Sequence, residues 1–262
     1  EQSPREVGSE RRRLRIVKMR GIKFRGGYHD FVLDTGGLSV FPRLVAADHR
    51  TSFDPAAAST GSTELDLLLG GGLVPGTNTL LIGPSGVGKT TTGVRCMLAA
   101  LERGQTATYF LFDEGLATLL ARATALGMDL TPHIEAGRLT IMQIEPAELS
   151  AGEFASKVRI AVEQRGSTFV AIDSLNAYLH AMPGEEYLIL QMHELLNYLN
   201  QQGVTTLLIL GQHGIVGEVR TDVDLSYLSD AVLLFRFFEA KGEVRTALSA
   251  VKSRVNAHER TI

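Results

Sequence analysis

The octet Gly83-Pro84-Ser85-Gly86-Val87-Gly88-Lys89-Thr90 sets glycines, a lysine and a hydroxyl at fixed spacing. Glycines let backbone N–H groups turn inward on an anion, an ammonium neutralises it, and a hydroxyl suits a hard divalent cation. The pattern is G-x-x-x-x-G-K-[ST], the loop that cradles the phosphates of a nucleoside triphosphate. Gly83, Pro84, Ser85, Gly86, Val87, Gly88, Lys89, Thr90 and Thr91 are therefore the expected nucleotide contacts. Lys89 would reach the β- and γ-phosphates and Thr90 would hold Mg²⁺. A glycine turn that happens to precede a helix is the competing reading.

Two acidic sites extend this chemistry. Thr168-Phe169-Val170-Ala171-Ile172 is an apolar run closed by Asp173 and Ser174. An unpaired carboxylate at the end of a buried strand is costly, so Asp173 is the expected partner of Thr90 on Mg²⁺. The run Tyr109-Phe110-Leu111-Phe112 ends in Asp113-Glu114. A carboxylate there would take a proton from, or orient, an attacking water; a solvated turn or a helix-capping acid is the alternative. Gly211-Gln212-His213 closes a third run, where a polar group would register loss of the γ-phosphate. A loop histidine with no such role fits His213 equally.

These groups need elements to position them. Residues 77–82 read as a strand ahead of the octet, and 91–103, free of proline, as the helix behind it. Further strands are expected at 106–112, 138–144, 168–172 and 204–210. Helices at 116–126, 152–164 and 185–202 would lie between them. Such alternation predicts an α/β fold, a mostly parallel sheet with helices on both faces. Residues 231–238 and 244–251 flank Lys241-Gly242 and predict a C-terminal antiparallel hairpin.

Composition narrows the class. The 262 residues are 44% hydrophobic and 21% charged, with a formal net charge of −3. No global basic field points to nucleic acid, and the chain lacks the Lys/Arg cluster interleaved with aromatics that single strands favour. Cys96 is the one cysteine, which excludes a disulfide framework and a cysteine metal cluster. No apolar run approaches the ~18 residues of a membrane span, and the first residues lack the form of a signal peptide. A cytoplasmic location is expected.

Residues 14–20 alternate as a strand would, and the two ends are related. Leu14-Arg15-Ile16-Val17-Lys18-Met19-Arg20 recurs as Leu248-Ser249-Ala250-Val251-Lys252-Ser253-Arg254, with Leu, Val, Lys and Arg in register. The expectation is a piece of a tandem array. Residues 1–45 would be the terminal strands of a preceding repeat, 46–58 a linker, and 59–262 a nucleotide-binding domain short of its own terminal strands. A chance match of two amphipathic strands is the alternative.

Taken together the motifs resemble the KaiC-like branch of the RecA-like P-loop ATPases. The resemblance is carried by Ser59-Thr60-Gly61-Ser62-Thr63-Glu64-Leu65-Asp66, Leu69-Gly70-Gly71-Gly72-Leu73-Val74-Pro75-Gly76, the octet, Phe112-Asp113-Glu114, Ile172-Asp173-Ser174-Leu175 and Val251-Lys252-Ser253-Arg254. It implies a RecA-like fold and Mg²⁺-dependent ATP hydrolysis in a homo-oligomeric ring, usually a hexamer, with nucleotide between subunits. Such a ring would act as a signalling switch read by a partner protein that the sequence does not name. Lys252, Ser253, Arg254, Asn256 and His258 would then contact a neighbour's ATP, Arg254 as a finger in trans. Asp113 and Glu114 match the family's paired catalytic acids, with Asp where the family has Glu at the first position. Thr221 and Ser226 match positions of Ser/Thr self-phosphorylation, while Tyr227 stands where a threonine is expected. A RecA-like nucleic-acid-dependent ATPase or recombination accessory, and a nucleotide sensor that does not hydrolyse, are the competing functions.

Overall fold

The structure is a computed structural model that describes residues 2–3, 11–180, 185–212 and 228–254. Strands β1 (Gln2–Ser3), β2 (Arg11–Leu14), β3 (His29–Asp34) and β4 (Gly37–Phe41) form an antiparallel sheet in chain order. Then follow α1 (Thr63–Leu68), β5 (Asn78–Pro84), α2 (Lys89–Glu102), β6 (Ala107–Leu111), α3 (Leu116–Ala125), α4 (Thr131–Glu135) and β7 (Leu139–Gln143). The remainder is α5 (Ala151–Glu163), β8 (Phe169–Asp173), α6 (Leu175–His180), α7 (Glu185–Gln201), β9 (Thr205–Gln212), β10 (Ala231–Ala240) and β11 (Glu243–Ser253).

Seven strands make the main sheet, in the order β11-β10-β5-β9-β8-β6-β7. Every pairing is parallel except β10 with β11, the expected hairpin. Buried parallel strands carry apolar groups on both faces, and the period of two divides them between two cores. Leu80, Phe110, Val170, Ile172 and Leu208 face a core shared with α5, α6 and α7. Leu81, Tyr109, Phe169, Ala171 and Leu207 face the other, with α2 and α3. The parallel pairing has a direct consequence for function: β5, β6, β8 and β9 all end on one edge, where the polar motifs begin.

Gly83 shows why the octet starts with glycine. A Cβ there would lie 2.5 Å from the Phe235 carbonyl oxygen on β10, a contact that no side chain tolerates. The loop can follow β5 only because this backbone approaches its neighbour bare.

The structure corrects the reading of residues 14–20 as a strand. β2 runs only from Arg11 to Leu14, and Arg12, Arg13 and Leu14 pair with Phe31, Asp30 and His29. Beyond Leu14 the described residues provide no ladder partner, so alternation alone does not make a strand. The matching residues 248–253 do form strand, because β10 pairs with them. Helices α1, α4 and α6, of 6, 5 and 6 residues, were not legible, being too short for a helical period to register. The expected linker is pinned to the domain by Phe53, whose ring fills the space where a Cβ at Gly76 or Gly203 would sit. The N-terminal sheet is also tied down. Asp30 accepts a hydrogen bond from Gly152 N at 2.8 Å, at the start of α5, and Arg11 donates to the Leu149 carbonyl at 2.9 Å.

Cys96 packs against this core on α2 at 2% exposure, and burial pushes its thiol up to about 12. The thiolate is the reactive form, so at neutral pH the folded chain should not react with an aromatic disulfide reagent. One equivalent of thiol should appear on addition of denaturant. Rapid labelling of the folded protein would contradict this packing.

Candidate nucleotide-binding site

The octet spans the end of β5 and the start of α2. Gly86 and Gly88 have φ of 78° and 103°, which an L side chain rarely adopts. Gly88 occupies the N-cap of α2 and provides no side-chain acceptor, unlike Ser62 and Ser150 at the starts of α1 and α5. The first N–H groups of α2 therefore lack a side-chain cap, a geometry that suits an anion. Lys89 is only 8% exposed, and its ammonium donates to the carbonyls of Gly83 and Pro84 at 2.8 and 2.7 Å. Burial lowers its pKa, against the opposing charge of Asp173.

Asp173 closes β8 beside this loop. Its Oδ2 accepts from the Thr90 hydroxyl at 2.8 Å and from the Tyr109 hydroxyl at 2.7 Å. Burial raises its pKa. The two hydrogen bonds oppose that rise, while the negative charges of Asp113 and Glu114 add to it. Tyr109 was read only as one apolar residue of a strand; its phenol is fully buried, and burial with the Asp173 charge raises its pKa well above the usual value. Asp113 is exposed and accepts a hydrogen bond from the Ser174 hydroxyl. Glu114 is bound by both arms of Arg122 on α3, at 2.8 and 2.7 Å. Asn176 holds both backbone groups of Gly211, at 2.6 and 3.0 Å, and so fixes the end of β9 beside Gln212.

These residues converge on one cleft of about 710 Å³, lined by Ser85, Gly86, Gly88, Lys89, Thr90, Thr91, Asp113, Glu114, Asp173 and Gln212 among others. The structure thus brings together the octet and all three expected acids. It adds four polar residues that the sequence reading did not single out in these roles: Tyr109, Arg122, Ser174 and Asn176. A second cavity of about 680 Å³ shares Thr91 and carries Leu65, Leu68, Leu126, Met128 and Leu248 beside Glu64 and Arg95.

The C-terminal cations lie elsewhere. Ser253 pairs with Ala231, which pairs with Thr79 at the start of β5. Lys252 and Arg254 are therefore at the sheet edge opposite the octet, about 15 Å away along β5 at 3.3 Å per residue. Lys252 donates to the Ser229 carbonyl at 2.7 Å; Arg254 is 57% exposed with its guanidinium 3.9 Å from Asp230. His213, Thr221, Ser226, Tyr227, Asn256 and His258 lie outside the described residues.

The Tyr109 hydroxyl yields a test in the protein without ligand. Tyr109→Phe removes a donor that favours the ionised form of Asp173, and a hydrogen bond to a charge contributes about 1.5–3 kcal/mol. Because burial already raises the folded-state pKa of Asp173 above its ordinary value, ionising it costs stability as pH rises. The variant's deficit in Tm should therefore be larger at pH 7.5 than at pH 4. Equal deficits at both values would count against this role.

Comparison with known proteins agrees with the geometry. A family model described as ATPase: KaiC matches residues 58–262. Among curated proteins, the circadian clock oscillator protein KaiC of Prochlorococcus marinus is 28% identical over 98% of this chain and 51% of its own length. The protein of that name from Synechococcus elongatus is 27% identical over 97% of this chain and 49% of its own. Circadian clock protein KaiC3 of Synechocystis is 25% identical over 96% and 50% respectively. The chain thus spans about half the length of the curated relatives it matches. With a seven-stranded, mostly parallel sheet carrying the phosphate loop, and a family match over most of its length, the chain belongs to the KaiC ATPase family.

Proposed function

We propose that this chain hydrolyses Mg²⁺-bound ATP at the cleft, with each nucleotide completed by a neighbouring subunit of a ring. The observation that carries the reading is the convergence of Lys89, Thr90 and Asp173 on one glycine cradle at the carboxyl edge of the sheet. Lys89 would exchange its two carbonyl partners for phosphate oxygens, and the loop N–H groups would surround the same anion. The neighbouring cavity that shares Thr91 has an apolar wall suited to the base.

Thr90 and Asp173 present hard oxygen atoms 2.8 Å apart, which fits magnesium. Among the described residues no group of three His, Cys, Asp or Glu side chains is placed to hold a metal. An ion here would draw its other ligands from phosphate and water. When bound it would neutralise charge on the phosphate oxygens. The chain's own residues would bind and orient: Lys89 would neutralise phosphate charge, Thr90 and Asp173 would hold the ion, and Asp113 and Glu114 would face the water.

Ring assembly is supported by the position of Arg254. It is remote from the octet of its own chain and exposed, as a residue serving a neighbour must be. By the family resemblance, residues 1–45 would belong to a preceding repeat, and the nucleotide state would be read by a partner as a switch. Self-phosphorylation at Thr221 or Ser226 is a separate proposal, tested by peptide mass spectrometry after incubation with Mg·ATP. The recombination reading draws its support from the basic stretch Arg11 to Arg25, and the family match does not favour it.

Replacing Asp113 and Glu114 together by Asn and Gln should leave ATP bound and slow hydrolysis by about 10²–10⁴, the range for a lost general base. Normal turnover in that variant would remove both acids from the mechanism. Arg254→Ala should lose hydrolysis and keep nucleotide binding. Mixed with Lys89→Ala it should regain activity, because mixed rings contain interfaces with one intact loop facing one intact arginine. Mixed assemblies, verified by mass, that stay inactive would overturn the role in trans.

A further inference from the structure

The two adjacent acids of the cleft are held differently. Glu114 has both oxygens engaged: Arg122 Nη1 donates to Oε1 at 2.8 Å and Nη2 to Oε2 at 2.7 Å. Both residues line the cleft, and their side chains are 21% and 39% exposed. Exposed ion pairs contribute little to stability. A bidentate fork has another effect, since it fixes the carboxylate in position and plane. Glu114 cannot swing toward the nucleotide without breaking two charge-assisted bonds, yet each oxygen keeps a lone pair for one more hydrogen bond. Asp113 receives only the Ser174 hydroxyl, on Oδ2, which leaves Oδ1 outside any hydrogen bond among the described residues. Its side chain is exposed to the cleft and one methylene shorter.

We infer that Arg122 is a positioning residue that fixes Glu114 as an acceptor orienting the attacking water, so that Asp113 receives the proton; this rests on the ATPase reading of the cleft. In the step itself the water oxygen bonds to the γ-phosphorus as the bond to the β–γ bridging oxygen breaks. ADP leaves with that electron pair, and one water proton passes to Asp113. Arg122 acts through the carboxylate it holds. It acts by denying Glu114 the freedom to serve as the base.

The test is a kinetic cycle with ATP affinity measured in parallel by calorimetry. In the wild-type background, Asp113→Asn should lower kcat by about 10²–10⁴, and Glu114→Gln by no more than about tenfold. In an Arg122→Gln background Glu114 is released and can take over, so the loss caused by Asp113→Asn should shrink at least tenfold. A merely structural arginine would lower stability without changing that ratio. Equal damage from Asp113→Asn and Glu114→Gln, or an unchanged Asp113→Asn penalty in the Arg122→Gln background, would overturn the assignment. If Arg122→Gln does not melt cooperatively, Arg122→Lys replaces it, with one donor point in place of two and the same pair of outcomes. Failure of the wild-type chain to bind ATP would instead sink the ATPase reading itself, which separates the two.

Discussion

A buried ammonium governs this structure. Lys89 is 8% exposed, at the start of a helix, with its charge shared between the carbonyls of Gly83 and Pro84 and balanced by Asp173. Burying a lone charge is expensive unless it is paired and hydrogen-bonded. The loop must therefore curl so that two carbonyls point at one nitrogen, which Gly86 and Gly88 permit at positive φ. The sheet must place β5 between β10 and β9, and β8 one strand further, so that Asp173 ends level with the loop. The parallel order, the bare backbone at Gly83 and the apolar faces of the strands all serve that placement.

Around this cation the cleft gathers three carboxylates, Asp113, Glu114 and Asp173, against two cations, Lys89 and Arg122. The acids repel one another, and Asp173 shows it: burial and its acidic neighbours raise its pKa against the bonds from Tyr109 and Thr90. Each acid is held by a different donor set: hydroxyls on Asp173, Ser174 on Asp113 and a guanidinium on Glu114. Different partners hold the neighbouring carboxylates in different geometries.

Much of this was legible because it is local. The octet carries its own chemistry within eight residues, and an acid ending an apolar run marks the end of a buried strand. Alternation of strands and helices foretold the parallel sheet, and Lys241-Gly242 the hairpin, with Lys241 at φ 54° in the turn. What was not legible depends on partners distant in sequence. Tyr109 looked like any strand aromatic, since its partner Asp173 is 64 residues on. Arg122 looked like one cation on a helix surface; its spacing of eight from Glu114, across the Gly115 cap, was the available signal. Residues 14–20 misled because alternation reports which faces a strand would have, not whether a neighbour is there to pair with it.

On the proposed reading, Lys89 exchanges the carbonyls of Gly83 and Pro84 for phosphate oxygens when ATP binds. A crystal structure with Mg²⁺ and a non-hydrolysable ATP analogue would show that exchange. The Lys89 ammonium should leave the carbonyls of Gly83 and Pro84 for β- and γ-phosphate oxygens, with the loop N–H groups around the same phosphates. An analogue bound outside the cleft, with Lys89 still on the two carbonyls, would contradict the account.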